Sequence, residues 1–398
     1  MDVKIYPSEL NGTFEAVSLK APALRYILAA SLSLSPSELC VNNRSAEVTE
    51  LVRIISDTVA DIKVCGDKLS VSPKEEIKKE TEIRIGAGAA ALRFLLPTLC
   101  ALSERITITG DGAYFKKYVK EITESLHGVT PFGETLPVTL VGRMRGGAYE
   151  LSENAEPYFV NGLLFALSLT EEGGEIFAPE KLVGAKHVAA CIKVMNAYGA
   201  KAEVLPDRIK VYGRAEYRSP GEITVNGDRV SSAAFIASKV LGGKIEISNL
   251  CDGNAEPDIS EIMQKAYAGG ERISLKNCAS AACFAAIVAC FSNGDTVIER
   301  ALNKPREEER ARALVSNILR LGGRAEVKDG EIRVYGTGGL NGGVYTDSFG
   351  DAKIAEAIAV AATFAKEPVI LLSAECANKD IPDFYNELRR LGGKVESR

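Results

Sequence analysis

The stretch IKVMNAYGAKAEVLPDRIKVYG, residues 192–213, is echoed by NILRLGGRAEVKDGEIRVYG, residues 317–336. Each reads as a helix end, a glycine stop, a strand, a turn and a second strand. Weaker copies are VADIKVCGDKLSVS (59–72), ESLHGVTPFGETLPVTLVG (124–142) and AYAGGERISL (266–275), the last shortened to the passage from helix to strand. The final LRRLGGKVES begins a further copy that the chain end interrupts. Successive copies lie roughly 60–70 residues apart, long enough for a β-α-β-α-β-β unit. Six such units fill the chain.

Between the copies lie alanine-rich segments that are apolar on most sides: 24–34, 90–102, 158–169, 231–241, 280–291 and 352–365. A helix apolar all round is a buried one, so each unit puts a central helix inside and its strands outside. The expected fold is α/β: two inside-out domains of three units each. If the buried helices run parallel, their N-termini point the same way and make an electropositive end without any net positive charge.

The bulk properties agree with this division. A chain of 398 residues, 46% hydrophobic and 25% charged, has the composition of a globular protein and exceeds what one core usually supports. A net charge of −5 excludes a general nucleic-acid surface, so any anion site must be local. Nine cysteines without a C-x-x-C pair read as reduced, mostly buried thiols, and two distant histidines, His127 and His187, give a metal site or a triad little to work with. No signal peptide opens the chain and no apolar run is long enough to span a membrane, so the expected location is the cytoplasm.

In SLKAPALRYILAASLSL (18–34), Lys20 falls just before a helix and Arg25 in its first turn. Cations are the wrong sign for that end, so either an anion binds there or two long side chains snorkel to water. The arrangement recurs. In TEIRIGAGAAALRFLLP (81–97) a strand leads through Gly86 into a helix carrying Arg93; Asp351 and Lys353 open another buried helix; Lys379 precedes a proline-initiated one. Gly86 to Ala91 also reads G-x-G-x-x-A, a dinucleotide-loop pattern, but it stands alone among antiparallel-looking hairpins.

With these motifs, and the ending NKDIPDFYNELRRLGGKV, the chain resembles over nearly its full length the 5-enolpyruvylshikimate-3-phosphate synthases (3-phosphoshikimate 1-carboxyvinyltransferases) of the enolpyruvyl transferase family. The resemblance implies a first, discontinuous domain of residues 1–18 plus 227–398, a second of 19–226, and substrates bound in a cleft between them. It implies a transferase of the shikimate pathway, acting on phosphoenolpyruvate and shikimate 3-phosphate or an analogue in aromatic amino acid biosynthesis. No cofactor, metal, nucleic acid or membrane is implied, and the protein would be a monomer.

Residue by residue, the resemblance gives Lys20, Arg93, Lys117, Arg310, Lys353 and Lys379 to phosphoenolpyruvate and phosphate, and Lys20, Arg25 and Arg306 to the shikimate side. Lys20 and Glu307 would carry protons. Departures are visible. Ala21 replaces a serine, and Ala87, Ala89, Ala90 and Ala91 replace polar residues. Lys117, Arg306 and Lys353 exchange lysine and arginine, which keeps charge but changes the bidentate fork. Cys283 falls where the family has the aspartate base, with no carboxylate between Glu271 and Asp295. Glu156, Pro157 and Tyr158 replace the serine-serine-glutamine that cradles the shikimate phosphate.

Enolpyruvyl transfer needs an acid for the methylene carbon, a base for the attacking hydroxyl and cations for the leaving phosphate. The cations are present and the base is not, so two readings stand: an active transferase with an altered pocket, or a catalytically silent relative that binds small anions or serves as a scaffold. For Arg306, Glu307 and Arg310 taken alone, a solvated first helical turn explains the charges equally well.

Overall fold

The structure, a computed structural model, describes all residues except 87–88, 111–124, 134, 153–154, 228, 252–257, 277, 303 and 380; of residues 89 and 90 it describes the backbone alone. The chain forms two compact units, Met1–Val17 with Asn226–Arg398, and Ser18–Val225.

Both units are built from one repeated sheet. In unit Ser18–Val225, strand Glu80–Ile85 runs parallel to Arg105–Gly110, which pairs antiparallel with Val138–Val141, itself antiparallel to Thr130–Phe132. The same order, one parallel pair followed by an antiparallel hairpin, recurs with strands Gly147–Glu150, Gly174–Phe177, Arg208–Val211 and Ala202–Val204. It recurs again with Glu222–Thr224, Ser37–Cys40, Lys68–Pro73 and Ala60–Cys65. The other unit repeats it with Arg272–Ser274, Asp295–Glu299, Glu331–Tyr335 and Arg324–Lys328, and with Tyr345–Asp347, Val369–Leu372, Val3–Tyr6 and Lys394–Ser397. A two-stranded parallel sheet, Asn11–Glu15 with Lys244–Ser248, completes it among the described residues.

The helix-stop glycines of the repeat lie in the left-handed region that side chains resist: Gly199 at φ 88°, Gly322 at 84° and Gly392 at 97°. Each turns the chain from a helix into the hairpin that follows. Strands Arg105–Gly110, Arg208–Val211 and Glu331–Tyr335 alternate buried residues with partly or fully exposed ones, so one face of each is covered and the other is not. The helices behind them do not alternate. Phe159 through Ser168 in Pro157–Leu169, all of Ala282–Cys290, and Lys353 through Thr363 in Ala352–Phe364 are buried on every side. Helices inside and sheets outside are what the apolar segments require.

Helices buried this deeply must touch backbone to backbone. Pro157–Leu169 packs on Ala89–Leu102 so closely that a Cβ on Gly162 would stand 2.1 Å from the Phe94 carbonyl oxygen. Phe165 meets Phe94 edge to face at 5.8 Å beside that contact.

Several details differ from the sequence reading. The final copy of the repeat is not cut off by the chain end: Lys394–Ser397 finds its hairpin partner in Val3–Tyr6, with Val3 opposite Ser397. Genuine β-α-β crossovers occur, since Glu80–Ile85 and Arg105–Gly110 are parallel and flank helix Ala89–Leu102. Helix Lys20–Ser31 begins earlier than expected, making Lys20 its first residue and carrying Arg25 beyond the first turn. Lys379 ends a 3-10 turn, Ala374–Lys379, and helix Phe384–Arg390 starts after Asp383 without Pro382 as its first residue.

Replacing Gly162 by alanine is expected to cost about 3 kcal/mol or more of stability, because backbone cannot yield as a side-chain tip does. Urea denaturation followed by circular dichroism measures it; an unchanged midpoint would contradict the close packing.

Candidate active site

In unit Ser18–Val225 the sites begin at the ends of buried helices. Lys20 Nζ donates to Glu47 Oε1 at 2.9 Å, Glu47 standing in the first turn of helix Ala46–Thr58. Burial pushes the Glu47 carboxyl up, but the Lys20 hydrogen bond, its own backbone amide and the Lys20 charge outweigh it and hold the group below its ordinary value. Arg93 Nη1 lies 3.7 Å from Glu156 Oε1, with side chains 17% and 27% exposed. Glu156 is also the N-cap of Pro157–Leu169, its Oε2 accepting from the Phe159 amide at 2.9 Å. The glutamate thus has a structural duty that its sequence position does not announce.

Arg25 is buried, with 6% of its surface exposed, and burial lowers its pKa. Such a group stays a cation all the same. With the Asn161 amide oriented to satisfy both neighbours, its oxygen accepts from Arg25 Nη2 at 3.1 Å and its nitrogen donates to the His187 carbonyl at 3.2 Å. Among the described residues Arg25 Nε, His187 Nδ1 and His187 Nε2 have no hydrogen-bond partner, and Arg25 has no carboxylate partner. Cys191 and Tyr158 also act on Arg25 electrostatically. A guanidinium buried without a counter-ion is costly, which is an arrangement kept when a ligand supplies the charge.

The glycine loop before Arg93 is tied at its start: the Gly86 amide donates to buried Glu50 Oε1 at 2.6 Å. A carboxylate on that amide would repel a pyrophosphate, which removes the dinucleotide reading of Gly86 to Ala91. Ala87 lies outside the described residues, as does Lys117.

In the other unit, Asp351 caps helix Ala352–Phe364 with one oxygen, accepting from the Lys353 and Ile354 amides at 2.9 and 3.3 Å. Its second oxygen takes Arg310 Nε at 2.8 Å, from helix Pro305–Arg320. Lys353 Nζ lies 3.1 Å from Glu356 Oε2, a fully buried carboxylate, and 5.6 Å from the centre of the Phe284 ring. Cys283, next to Phe284, feels Arg310, Lys353, Asp351 and Glu356 together. Lys379 joins the same neighbourhood, since Cys376 is influenced by both Lys379 and Asp351. Arg306 is exposed and Glu307 half-buried in the first turn of Pro305–Arg320.

Burial pushes the Cys283 thiol up to about 12, and the two nearby cations fail to reverse it. A neutral thiol at 2% exposure is a core residue and no base at neutral pH. Within the units, then, the structure gathers Arg25, Arg93, Glu156 and Tyr158 about one helix start, and Arg310 and Lys353 about another. Glu47, Asn161, His187 and Glu356 also take part and were not anticipated. Asp351 had a signal, aspartate before an apolar helix; the others sit at positions where nothing local distinguishes them from surface or core residues.

His187 sets a pH dependence. Burial, and then the Arg25 charge, lower its pKa from 6.5, so the folded state favours neutral imidazole. The stability this contributes is present above pH 6.5 and is lost as pH falls through the folded value. Replacing His187 by glutamine is expected to flatten the fall in unfolding free energy between pH 7.5 and 5, measured by urea denaturation; a profile parallel to the parent protein would refute this assignment.

The EPSP synthase (3-phosphoshikimate 1-carboxyvinyltransferase) family model matches residues 5–268 and 251–388. The 3-phosphoshikimate 1-carboxyvinyltransferase of Brachyspira hyodysenteriae is 28% identical, with 100% of both chains covered. That of Clostridium kluyveri is 25% identical over 99% of this chain and 98% of the relative. Among solved structures, EPSP synthase from Acinetobacter baumannii superposes with a TM-score of 0.80 at 16% identity, covering 100% of both chains. The enolpyruvyl transferase NikO from Streptomyces tendae reaches 0.69 at 16% identity, over 99% of this chain and 98% of that one. These two likenesses carry the fold, and the family model carries the membership: with its repeated sheets, its buried helices and its cations at their starts, this chain belongs to the EPSP synthase family.

Proposed function

We propose that the protein transfers the enolpyruvyl group of phosphoenolpyruvate to an alcohol of the shikimate 3-phosphate kind, releasing inorganic phosphate, as a cytoplasmic monomer. The methylene carbon of phosphoenolpyruvate takes a proton, the alcohol oxygen bonds to the adjacent carbon as its own proton leaves, and elimination of phosphate with loss of a methyl proton restores the double bond. Arg93, Lys117, Arg310, Lys353 and Lys379 hold the phosphoenolpyruvate charges and the departing phosphate. Lys20, Arg25 and Arg306 hold the acceptor, and Lys20 and Glu307 move protons.

The observation that carries this reading is Arg25, a buried guanidinium with no carboxylate partner among the described residues and with Nε unsatisfied. A cation kept at this cost in stability suits a site completed by an anionic substrate. The silent-relative reading draws its support from Cys283, protonated where a base is needed. Both observations are met by a transferase that binds its substrates and turns over slowly, since loss of one general base typically lowers a rate by about a hundred- to ten-thousandfold.

Phosphate release from phosphoenolpyruvate with shikimate 3-phosphate is the direct test. Turnover is expected to be slow, with phosphoenolpyruvate binding readily measured by calorimetry; absence of phosphoenolpyruvate binding would sink the proposal. Replacing Cys283 by alanine should change the rate by no more than about twofold, because a neutral core thiol moves no proton. Replacing Arg25 by methionine should stabilise the fold by about 1 kcal/mol or more while weakening acceptor binding by about a hundredfold, the opposite signs expected of a ligand-holding charge.

A further inference from the structure

Helix Ala352–Phe364 holds a lysine and a glutamate among buried alanines, isoleucines and a valine. Lys353 is 8% exposed, Glu356 one turn further is 0% exposed, and Lys353 Nζ donates to Glu356 Oε2 at 3.1 Å. The transfer reading gives the lysine a task and the carboxylate none. A carboxylate taken wholly out of water is costly, and replacing a buried ion pair by apolar groups of similar volume is often neutral or stabilising. Stability therefore does not account for Glu356.

A buried lysine and a buried arginine differ in what they need. A guanidinium keeps its charge in an apolar setting, whereas an ammonium without a counter-charge sheds its proton there. The setting of Lys353 is of that kind. The centre of the Phe284 ring lies 5.6 Å from Nζ, and Cys283 beside it is a thiol that burial pushes up to about 12. Tyr385 of helix Phe384–Arg390 is 4% exposed and acts on Glu356 electrostatically, and burial raises its pKa and keeps the phenol neutral. Arg310, from helix Pro305–Arg320, adds a like charge; its partner Asp351 is engaged by that guanidinium and by the Lys353 and Ile354 amides. Turn Ala374–Lys379 packs on the same helix with Cys376 buried and Glu375 and Lys379 exposed. The buried residues of helix Ala233–Val240 and of strands Val3–Tyr6 and Val369–Leu372, which also pack on it, are apolar or serine.

We propose that Glu356 is a positioning residue of the phosphoenolpyruvate site: it keeps Lys353 protonated in a dry setting and orients its ammonium, so that a buried lysine can hold a substrate anion. An ammonium has three donors, and Glu356 Oε2 takes one of them. This deepens the transfer reading above and rests on it. The test is calorimetric titration of phosphoenolpyruvate at about pH 6 and about pH 8.5 into the parent protein and into Glu356→Gln, which keeps an acceptor oxygen and removes the charge. Without the carboxylate the Lys353 pKa falls, so the cation is present below the lowered value and is lost as pH rises through it. The affinity of Glu356→Gln relative to the parent is expected to fall by at least about tenfold between the two pH values. Adding Lys353→Arg to Glu356→Gln should bring the affinity back to within about threefold of the parent at both, because a guanidinium needs no counter-charge to stay ionised.

Where Glu356→Gln alone fails to fold, Lys353→Arg carries the test: in that background loss of the Glu356 charge should alter phosphoenolpyruvate affinity by less than about threefold at either pH. A pH response of Glu356→Gln parallel to that of the parent, or failure of arginine to restore binding, would overturn the inference while phosphoenolpyruvate binding to the parent leaves the transfer reading standing. Failure of phosphoenolpyruvate to bind the parent removes both.

Discussion

The contact between Gly162 and the Phe94 carbonyl is the constraint on which the helix core of unit Ser18–Val225 depends. With sheets on the outside, the centre of a unit is filled by helices alone, and their spacing sets everything the sheets must cover. Absence of a single Cβ lets Pro157–Leu169 lie against the backbone of Ala89–Leu102. The same contact fixes Glu156, one residue before the first helix, relative to Arg93, one residue before Phe94 on the second. Packing and electrostatics are thereby one arrangement: the ion pair is held by helices that have no room to slide.

Carboxylates at helix starts recur as the second theme. Asp351 and Glu156 each cap a buried helix with one oxygen and meet a guanidinium with the other, Arg310 in one case and Arg93 in the other. The dual use has a physical reason. A capping carboxylate accepts from the helix amides with one oxygen and keeps the other to orient a cation beside it. Cations at these helix starts are consequently held by carboxylates of the chain itself. Arg25 stands apart because no carboxylate is paired with it among the described residues.

How far the sequence could be read follows from the range of each interaction. Glycine stops such as Gly199 and Gly322 declared the helix-to-hairpin passages because the left-handed backbone is a local property. All-round apolar segments such as 282–290 declared buried helices because burial on every side leaves no polar stripe. The chain end was misjudged, since the partner of Lys394–Ser397 is Val3–Tyr6, at the other extreme of the sequence. Helix Lys20–Ser31 places Arg25 beyond its first turn, and the sequence does not show this because Leu19, its cap position, offers no side-chain hydrogen bond and so no local signal.

Period, apolar pattern and glycine positions are carried by residues close together in the chain, and with them the sequence alone determined the repeated unit, the buried helices and the identity of the cations. Only the tertiary structure decided what each cation faces. Lys20 meets Glu47, Arg93 meets Glu156, Arg310 meets Asp351, and Arg25 meets no carboxylate among the described residues. Those distinctions join helices 27 to 63 positions apart, and charge pairing across such separations is set by how the helices pack, which no local pattern records.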